Sequence, residues 1–239
     1  MNEATSTVFC ATPVDLRNRF KVISKATEQR FQNYQIRVHR ALSWWERARE
    51  LDAAEHPDGR LLYGWIAFNS LYGVWDDMSG GPAKDREAWQ QFVSRAFHWD
   101  AEDLFAKQLT QYREPIFKLL ENKFLDMQFW RRRAGQPNGG RGRYSRGPSL
   151  FIERRWCELL ILAWDRIYVL RGQIVHGAAT RGSRLNRDTL CSAVELLEAF
   201  LAPILHLTIE HGAHDDWPSL CYPPIEETPK SKPRPSSPR

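Results

Sequence analysis

The chain has no covalent or metallic framework that its sequence can show. Its four cysteines, Cys10, Cys157, Cys191 and Cys221, stand far apart, and no C-x-x-C pair is present to hold zinc or form a redox dithiol. Cys157 and Cys191 read as small core hydrophobes. No run approaches the roughly 20 apolar residues that span a bilayer, so no membrane partner is expected. The opening MNEATSTVFC has neither the basic leader nor the apolar stretch of a secretory signal, which makes a cytoplasmic protein the expectation. There is no phosphate loop of the G-x4-G-K-[ST] type and no serine in a G-x-S-x-G elbow, and no repeat of 20 to 50 residues. His206, His211 and His214 with Asp215 and Asp216 lack the i, i+4 histidine pair that places two ligands on one helix face, so neither a metal nor a cofactor is expected. Asp76 and Asp77 read as solvated acids at a helix end.

What is present is an apolar pattern of helical period. A chain of 239 residues, 42% hydrophobic with ten Trp, twelve Phe and seven Tyr, can bury a sizeable core in one domain. Residues 1–25 read as an irregular segment. From about Thr27, the series Phe31, Tyr34, Val38, Leu42, Trp45, Ala48 steps by threes and fours, the stripe of an amphipathic helix that HPDG (His56–Gly59) ends. A second helix carries Leu62, Trp65, Phe68, Tyr72 and Trp75, closed by SGGP (Ser79–Pro82). Shorter helices follow over Asp85–Phe97 and Asp100–Gln111, the latter with Asp100 as N-cap. Pro115 suits the first turn of the next, whose stripe is Ile116, Leu119, Lys123, Phe124, Met127 and Trp130. After a flexible loop at 134–149 comes the most regular stretch, Ile152, Trp156, Leu160, Ala163, Ile167, Leu170, Ile174, opened by Pro148 or Ser149 and closed by Gly177. A last helix over Thr189–His211 shows Leu190, Val194, Leu197, Leu201 and Ile204 and should kink at Pro203. No segment alternates as a strand. The expectation is an all-α helical bundle over residues 26–212, with a disordered Pro-rich tail at 213–239.

The formal charge of +5 is mild, but it is unevenly spread. Arg131, Arg132, Arg133, Arg141, Arg143 and Arg146 lie in a stretch with no acid, and Arg171, Arg181, Arg184 and Arg187 form a second such group. An anionic partner fits, and a phosphate polymer suits arginine best. GGRGRYSRG (Gly139–Gly147) resembles an RGG-type segment, in which arginines meet phosphates and Tyr144 stacks on a base; a solvated low-complexity loop explains it equally well.

Within LRGQIVHG (Leu170–Gly177), Arg171 and His176 end an apolar helical run. On a regular helix, residues five apart differ by about 140° and rise about 7.5 Å, so the two do not share a face. A histidine changes charge near neutral pH and can accept and return a proton, while an arginine stabilises charge on a phosphate. Those groups suffice for RNA cleavage through the ribose 2′-OH, a route that needs no metal. They are also ordinary residues at a helix end.

RIYVLRGQIVHG (Arg166–Gly177) resembles the signature of the HEPN superfamily, an Arg-x4-6-His motif late in a helix of an α-bundle, often followed by Gly. GWIAFNSLYGVW (Gly64–Trp75) is similar to the aromatic, Asn-containing helix that accompanies it in several bacterial HEPN groups. The resemblance covers about Thr27–His211, with only these two stretches specific. It implies a homodimeric helical bundle and a metal-independent endoribonuclease of a toxin-antitoxin, antiphage or RNA-processing system, with an antitoxin or other defence-system protein as partner. It also implies that the motif from each protomer meets at a two-fold seam. Arg171 would then stabilise the scissile phosphate and His176 would transfer protons, with RNA held by Asn69, Arg131, Arg132, Arg133, Arg141, Arg143, Tyr144, Arg146, Arg166 and Arg181. The competing reading of Asn69 is a buried, satisfied amide. The residue after the motif arginine, commonly polar in catalytic members, is Gly172 here. A HEPN module that only binds RNA, a nucleotide or a partner protein is the alternative.

Overall fold

One helix is apolar over most of its surface, and it sets the architecture. In α10 (Arg187–His211) the predicted stripe Leu190, Val194, Leu197, Leu201 and Ile204 is buried, but so are Ala193, Leu196, Phe200 and Leu205. A helix buried over most of its faces, with only the side of Asp188, Cys191 and Glu195 open to solvent, belongs near the centre of a bundle. The computed structural model describes residues 9–26, 32–135, 146–178, 180 and 187–224. Around α10 it arranges α1 (Pro13–Ala26), α2 (Gln32–Glu50), α3 (Pro57–Tyr72), α4 (Asp85–Trp99) and α5 (Leu104–Gln111). α6 (Arg113–Glu121), α7 (Met127–Arg133), α8 (Gly147–Ile152) and α9 (Trp156–Val175) complete the set. α10 touches α1 to α6 and α9. The chain is therefore all-α; among the described residues its strands are the two-residue β1 (Trp75–Asp76) and β2 (Gly81–Pro82), paired as a hairpin, and an isolated bridge joins Val74 to Leu220.

The apolarity of α10 has two consequences. Together with its following turn (Arg187–His214) it is long and apolar enough to cross a membrane, contrary to the expectation of no such run, yet 72% of its apolar 18-residue window is buried inside the bundle. Its polar atoms must also be satisfied locally. Ser192 and Thr208 donate to the carbonyls of Asp188 (2.9 Å) and Ile204 (2.7 Å), one turn back. Pro203 lies inside the helix and has no N–H to give to the carbonyl of Ala199. The buried Gln108 of α5 donates to that carbonyl instead, at 2.8 Å.

The segment expected to be irregular, 1–25, contains α1. The missed signal is a capping arrangement: the Thr12 N–H donates to Asp15 Oδ2 (2.9 Å), the Asp15 N–H donates to Thr12 Oγ1 (3.2 Å), and Pro13 occupies the first turn. Leu16 and Phe20, four apart, are buried against the bundle. In the HPDG segment, Pro57 starts α3 rather than merely ending α2. α3 stops at Tyr72, so Trp75 sits in the hairpin and Leu61 is buried where Leu62 was expected. Asp100 is the C-cap of α4 and Asp103, not Asp100, is the N-cap of α5, but the Asp100 carboxylate still accepts from the first N–H groups of α5, those of Leu104 (2.7 Å) and Phe105 (2.8 Å).

Two expected long helices are broken. The stripe from Ile116 to Trp130 divides into α6, a 3-10 turn at Lys123–Leu125 and α7, because Asn122 and Asp126 each cap a new start, accepting from Phe124 N (3.0 Å) and Gln128 N (2.9 Å). The stripe from Ile152 breaks at Arg154, a left-handed residue (φ 55°). There the Arg155 N–H returns to Leu150 O (2.9 Å) and the Arg154 N–H to Phe151 O (3.1 Å), the bond pair of a Schellman stop without its usual glycine. Ile152 is left exposed. Cys191 is exposed and Cys157 half-buried, so neither is the core hydrophobe expected.

The start of the expected tail is packed. Arg37, buried in α2, donates to the carbonyls of Gly73 (2.6 Å), Pro218 (3.1 Å) and Ser219 (3.2 Å), tying residues 218–219 to the end of α3. Its guanidinium and that of Arg95 each lie 5.6 Å from the ring of Trp217. Burial, and then repulsion from Arg95, hold the Arg37 pKa down to about 10. Residues 225–239 lie outside the described residues.

Candidate functional site

The last turns of α9 carry the candidate site. Gly177, at φ 70°, occupies the left-handed position that only glycine adopts freely. The Ala178 N–H returns to Gln173 O (2.8 Å) and the Gly177 N–H to Ile174 O (3.1 Å), a complete Schellman closure. This fixes His176 as the C-cap, with φ −87° and ψ 10°, and leaves it exposed to solvent.

Upstream, Asp165, Tyr168 and Arg171 recur every three residues on one face of α9, opposite the start of α4. Arg86 of α4 donates from Nε to Asp165 Oδ1 at 2.8 Å and brings Nη2 within 2.6 Å of the same oxygen. The Arg86 guanidinium lies 5.7 Å from the Tyr168 ring centre and that of Arg171 lies 5.9 Å from it. Tyr168 is thus a phenol ring with two cations close to it. The difference between the cations is their partners: Arg86 is neutralised by Asp165, whereas Arg171 has no carboxylate within ion-pair distance among the described residues. Tyr72 closes the group from α3, donating its hydroxyl to Asp85 at 2.7 Å. Burial first, and Asp85 second, push both the Tyr72 and Tyr168 hydroxyls above the ordinary phenol range, so both remain protonated.

The half-buried Gly172, next to Arg171, has open space beside it: a Cβ there would meet nothing within 4 Å. The backbone at this point is therefore approachable by a ligand. Chemically, α9 offers a cation with no carboxylate partner among the described residues and, one turn on, an exposed imidazole at the helix end.

The remaining predicted residues fall into four groups. Arg131, Arg132 and Arg133 form the exposed last turn of α7, and Arg146 is exposed at the start of α8, 3.8 Å from Glu158. Asn69 is half-buried near the end of α3; its backbone carbonyl accepts from Gly73 N (2.8 Å), but among the described residues no hydrogen bond satisfies its side-chain amide or joins it to the motif. Arg166 is a correction. It is 3% exposed, donates to Leu125 O at 2.9 Å and lies 3.4 Å from Asp126 Oδ1, so it cannot reach a phosphate strand on the surface. Arg141, Arg143, Tyr144 and Arg181 lie outside the described residues. Sequence reasoning missed Asp85, Arg86, Asp165 and the two tyrosines. The i, i+3, i+6 spacing of Asp165, Tyr168 and Arg171 was available as a signal; the α4 partners were not.

Among the described residues, no three His, Cys, Asp or Glu side chains converge as metal ligands. Comparison of the chain with protein-family profiles, curated proteins and solved structures finds no match.

Proposed function

We propose that the protein is a metal-independent endoribonuclease that cuts single-stranded or loop RNA at a site completed by a second copy of the chain. The observation that carries this reading is the presence, at the end of one helix, of Arg171, which has no carboxylate partner among the described residues, and of the exposed helix-terminal imidazole of His176. In the proposed reaction the ribose 2′-oxygen attacks the adjacent phosphorus, the bond to the 5′-oxygen breaks, and the products are a 2′,3′-cyclic phosphate and a 5′-hydroxyl. His176 moves the proton between these oxygens, and Arg171 stabilises charge gathering on the phosphoryl oxygens. Five helical positions separate the two residues by about 140°, which is why the reading needs a homodimer in which the arginine of one copy approaches the histidine of the other. A bacterial defence or toxin role, with a neutralising antitoxin as partner, belongs to the same proposal.

The same divergence of the two side chains supports a second reading. A single subunit with Arg171 and an approachable backbone at Gly172 has the parts to bind an RNA, a nucleotide or a partner without cutting.

The test is cleavage of mixed RNA in EDTA by the parent protein and by Arg171→Ala and His176→Ala, each first shown to be folded and of parental oligomeric state. Each substitution should lower the rate by at least about 100-fold, and the parent should leave 2′,3′-cyclic ends. Equal cutting by all three would overturn the enzyme. Retention of RNA without cutting, weakened by Arg171→Ala, would establish the binding module.

A further inference from the structure

α7 buries none of its residues, and the stripe that was expected to carry Trp130 into the core leaves it 40% exposed. The ring is nonetheless held in place. Its Nε1–H donates to the Phe124 carbonyl at 2.8 Å, Phe129 meets it edge-on with ring centres 5.2 Å apart, and the exposed ring of Phe124 lies 6.4 Å away. A fixed indole gives up little side-chain freedom when a flat group is laid on it, which suits it to anchor a ligand.

The charges around this ring have one sign. Lys123 sets Nζ 5.2 Å from the Phe124 ring centre and 5.9 Å from that of Phe129. Arg131, Arg132 and Arg133 are exposed and have no carboxylate partner among the described residues. Arg133, three residues after Trp130, shares its side of the helix. Trp44, also exposed, differs: it stands 5.6 Å from the Tyr63 ring, and the arginine over that tyrosine, Arg47, is claimed by Glu50. An aromatic face beside unpaired cations matches the two parts of a single-stranded nucleic acid, bases with π faces and the phosphates between them. A second copy of the chain seated on this face would bring the same positive charges together, so charge favours the nucleic acid.

The Phe124 carbonyl that accepts from Trp130 also accepts from Gln173 Nε2 of α9, at 2.9 Å. Gln173 lies three residues before His176, on the same side of α9, and two after Arg171, on nearly the opposite side. We propose that Trp130 is the platform on which a base of a single-stranded RNA stacks, with Arg133 and its neighbours meeting the phosphates beside that base and the strand leading on to His176. The platform therefore belongs to the histidine half of the composite site, and the arginine arrives from the other copy. That the strand is cut there rests on the ribonuclease reading; that a base stacks on Trp130 does not.

The experiment is fluorescence anisotropy of a labelled oligouridylate at low salt, 2′-O-methylated so that it cannot be cut, beside an abasic strand of the same length. The proteins are the full chain, Trp130→Leu, Trp130→Phe and Arg133→Ala, each checked for thermal midpoint and oligomeric state. Trp130→Leu should weaken the oligouridylate by at least about fivefold and leave the abasic strand within about twofold of the parent. Trp130→Phe, which keeps a π face, should recover most of that loss. Arg133→Ala should weaken both strands alike and lower the salt slope by about one. The thermal midpoint of Trp130→Leu should move little, since α7 buries no residue. No binding by the parent, unchanged binding by Trp130→Leu, an equal loss of both strands, or Trp130→Phe as weak as Trp130→Leu would each overturn the proposal. A parental dimer that Trp130→Leu dissolves would also overturn it, making the ring a contact between copies. Base-dependent binding through Trp130 without cleavage of unmodified RNA leaves the platform standing and removes the nuclease; cleavage whose KM ignores Trp130→Leu does the reverse.

Discussion

Arg166 and Arg171 stand five residues apart in one helix and share a side chain, yet they have opposite fates. Arg166 is enclosed by α7 and the turn before it, with a carbonyl and a carboxylate as partners. Arg171 lies on the Tyr168 ring with no carboxylate to answer it among the described residues. The lesson is that a tally of arginines in the sequence does not measure charge available to an anion; the partner that folding supplies decides it. The largest test of this contrast is thermodynamic. Arg166→Met leaves Asp126 buried without its cation and should destabilise the protein by about 3 to 5 kcal/mol, whereas Arg171→Met should stay within about 0.5 kcal/mol of the parent. Joining Asp126→Leu to Arg166→Met should recover much of the loss, because a buried ion pair and an apolar pair of similar volume are close in energy. Denaturant titration of the four proteins reads all three statements, and a mild Arg166→Met would erase the distinction.

The same two residues mark how far the sequence could be read. Helical period placed α2, α3, α4, α9 and α10, since each buries a stripe long enough to be seen without its neighbours. Helix ends were legible at Gln111, ahead of Pro115, and at Gly177, where the stop is written in glycine. The stops at Asn122, Asp126 and Arg154 use side-chain caps and a strained non-glycine residue, signals that any polar surface residue mimics. α1 was lost for the same reason, its start being written in Thr12 and Asp15. The positions of Arg171 and His176 at the end of α9 could be read because one helix fixes both. Burial of Arg166 could not, since it depends on Asp126 approaching from 40 positions earlier. The Asp85, Arg86 and Tyr72 surroundings of Tyr168 were hidden likewise, each coming from a different helix.

The contrast can be sharpened at the end of α9, where two glycines play opposite parts. Gly172 has helical backbone and open space beside it, so Gly172→Ala should raise stability by about 1 kcal/mol through helix propensity alone. Gly177 also has open space, but its φ of 70° is unfavourable for any side chain, and Gly177→Ala should lower stability by about 1 to 2 kcal/mol. Thermal midpoints moving in opposite directions are the expected result. RNA binding adds a second measurement. If a ligand approaches the backbone beside Arg171, Gly172→Ala weakens RNA retention even as it stabilises the fold; unchanged retention would show that nothing docks there.

A third setting lies between the buried pair and the unpaired cation. Arg19 of α1 meets Glu210 of α10 in a two-bond fork, Nε to Oε1 and Nη2 to Oε2, both at 2.6 Å, with the arginine largely in solvent. The hydrogen bond from Arg19 is the main reason the Glu210 carboxyl is held below its usual range. A carboxyl whose pKa is lower folded than unfolded adds stability that is present above the ordinary glutamate value, about 4.3, and is lost as the pH falls through the folded value. Exposed pairs contribute little, so Arg19→Ala should lower the thermal midpoint only slightly at pH 7. The gap between parent and variant should then close on acidification below about pH 4. His206, one turn before Glu210, is held below its usual range chiefly by burial, with Arg19 the smallest of its causes, and also costs stability on acidification; that loss sets in below the ordinary histidine value of about 6.5 and differs little between the proteins, so the gap that closes below about pH 4 reports the Arg19–Glu210 pair. A gap that stays constant from pH 7 down to pH 3 would mean that Arg19 acts by packing its stem against α10, and that even a two-bond fork at the surface holds its charge in name only.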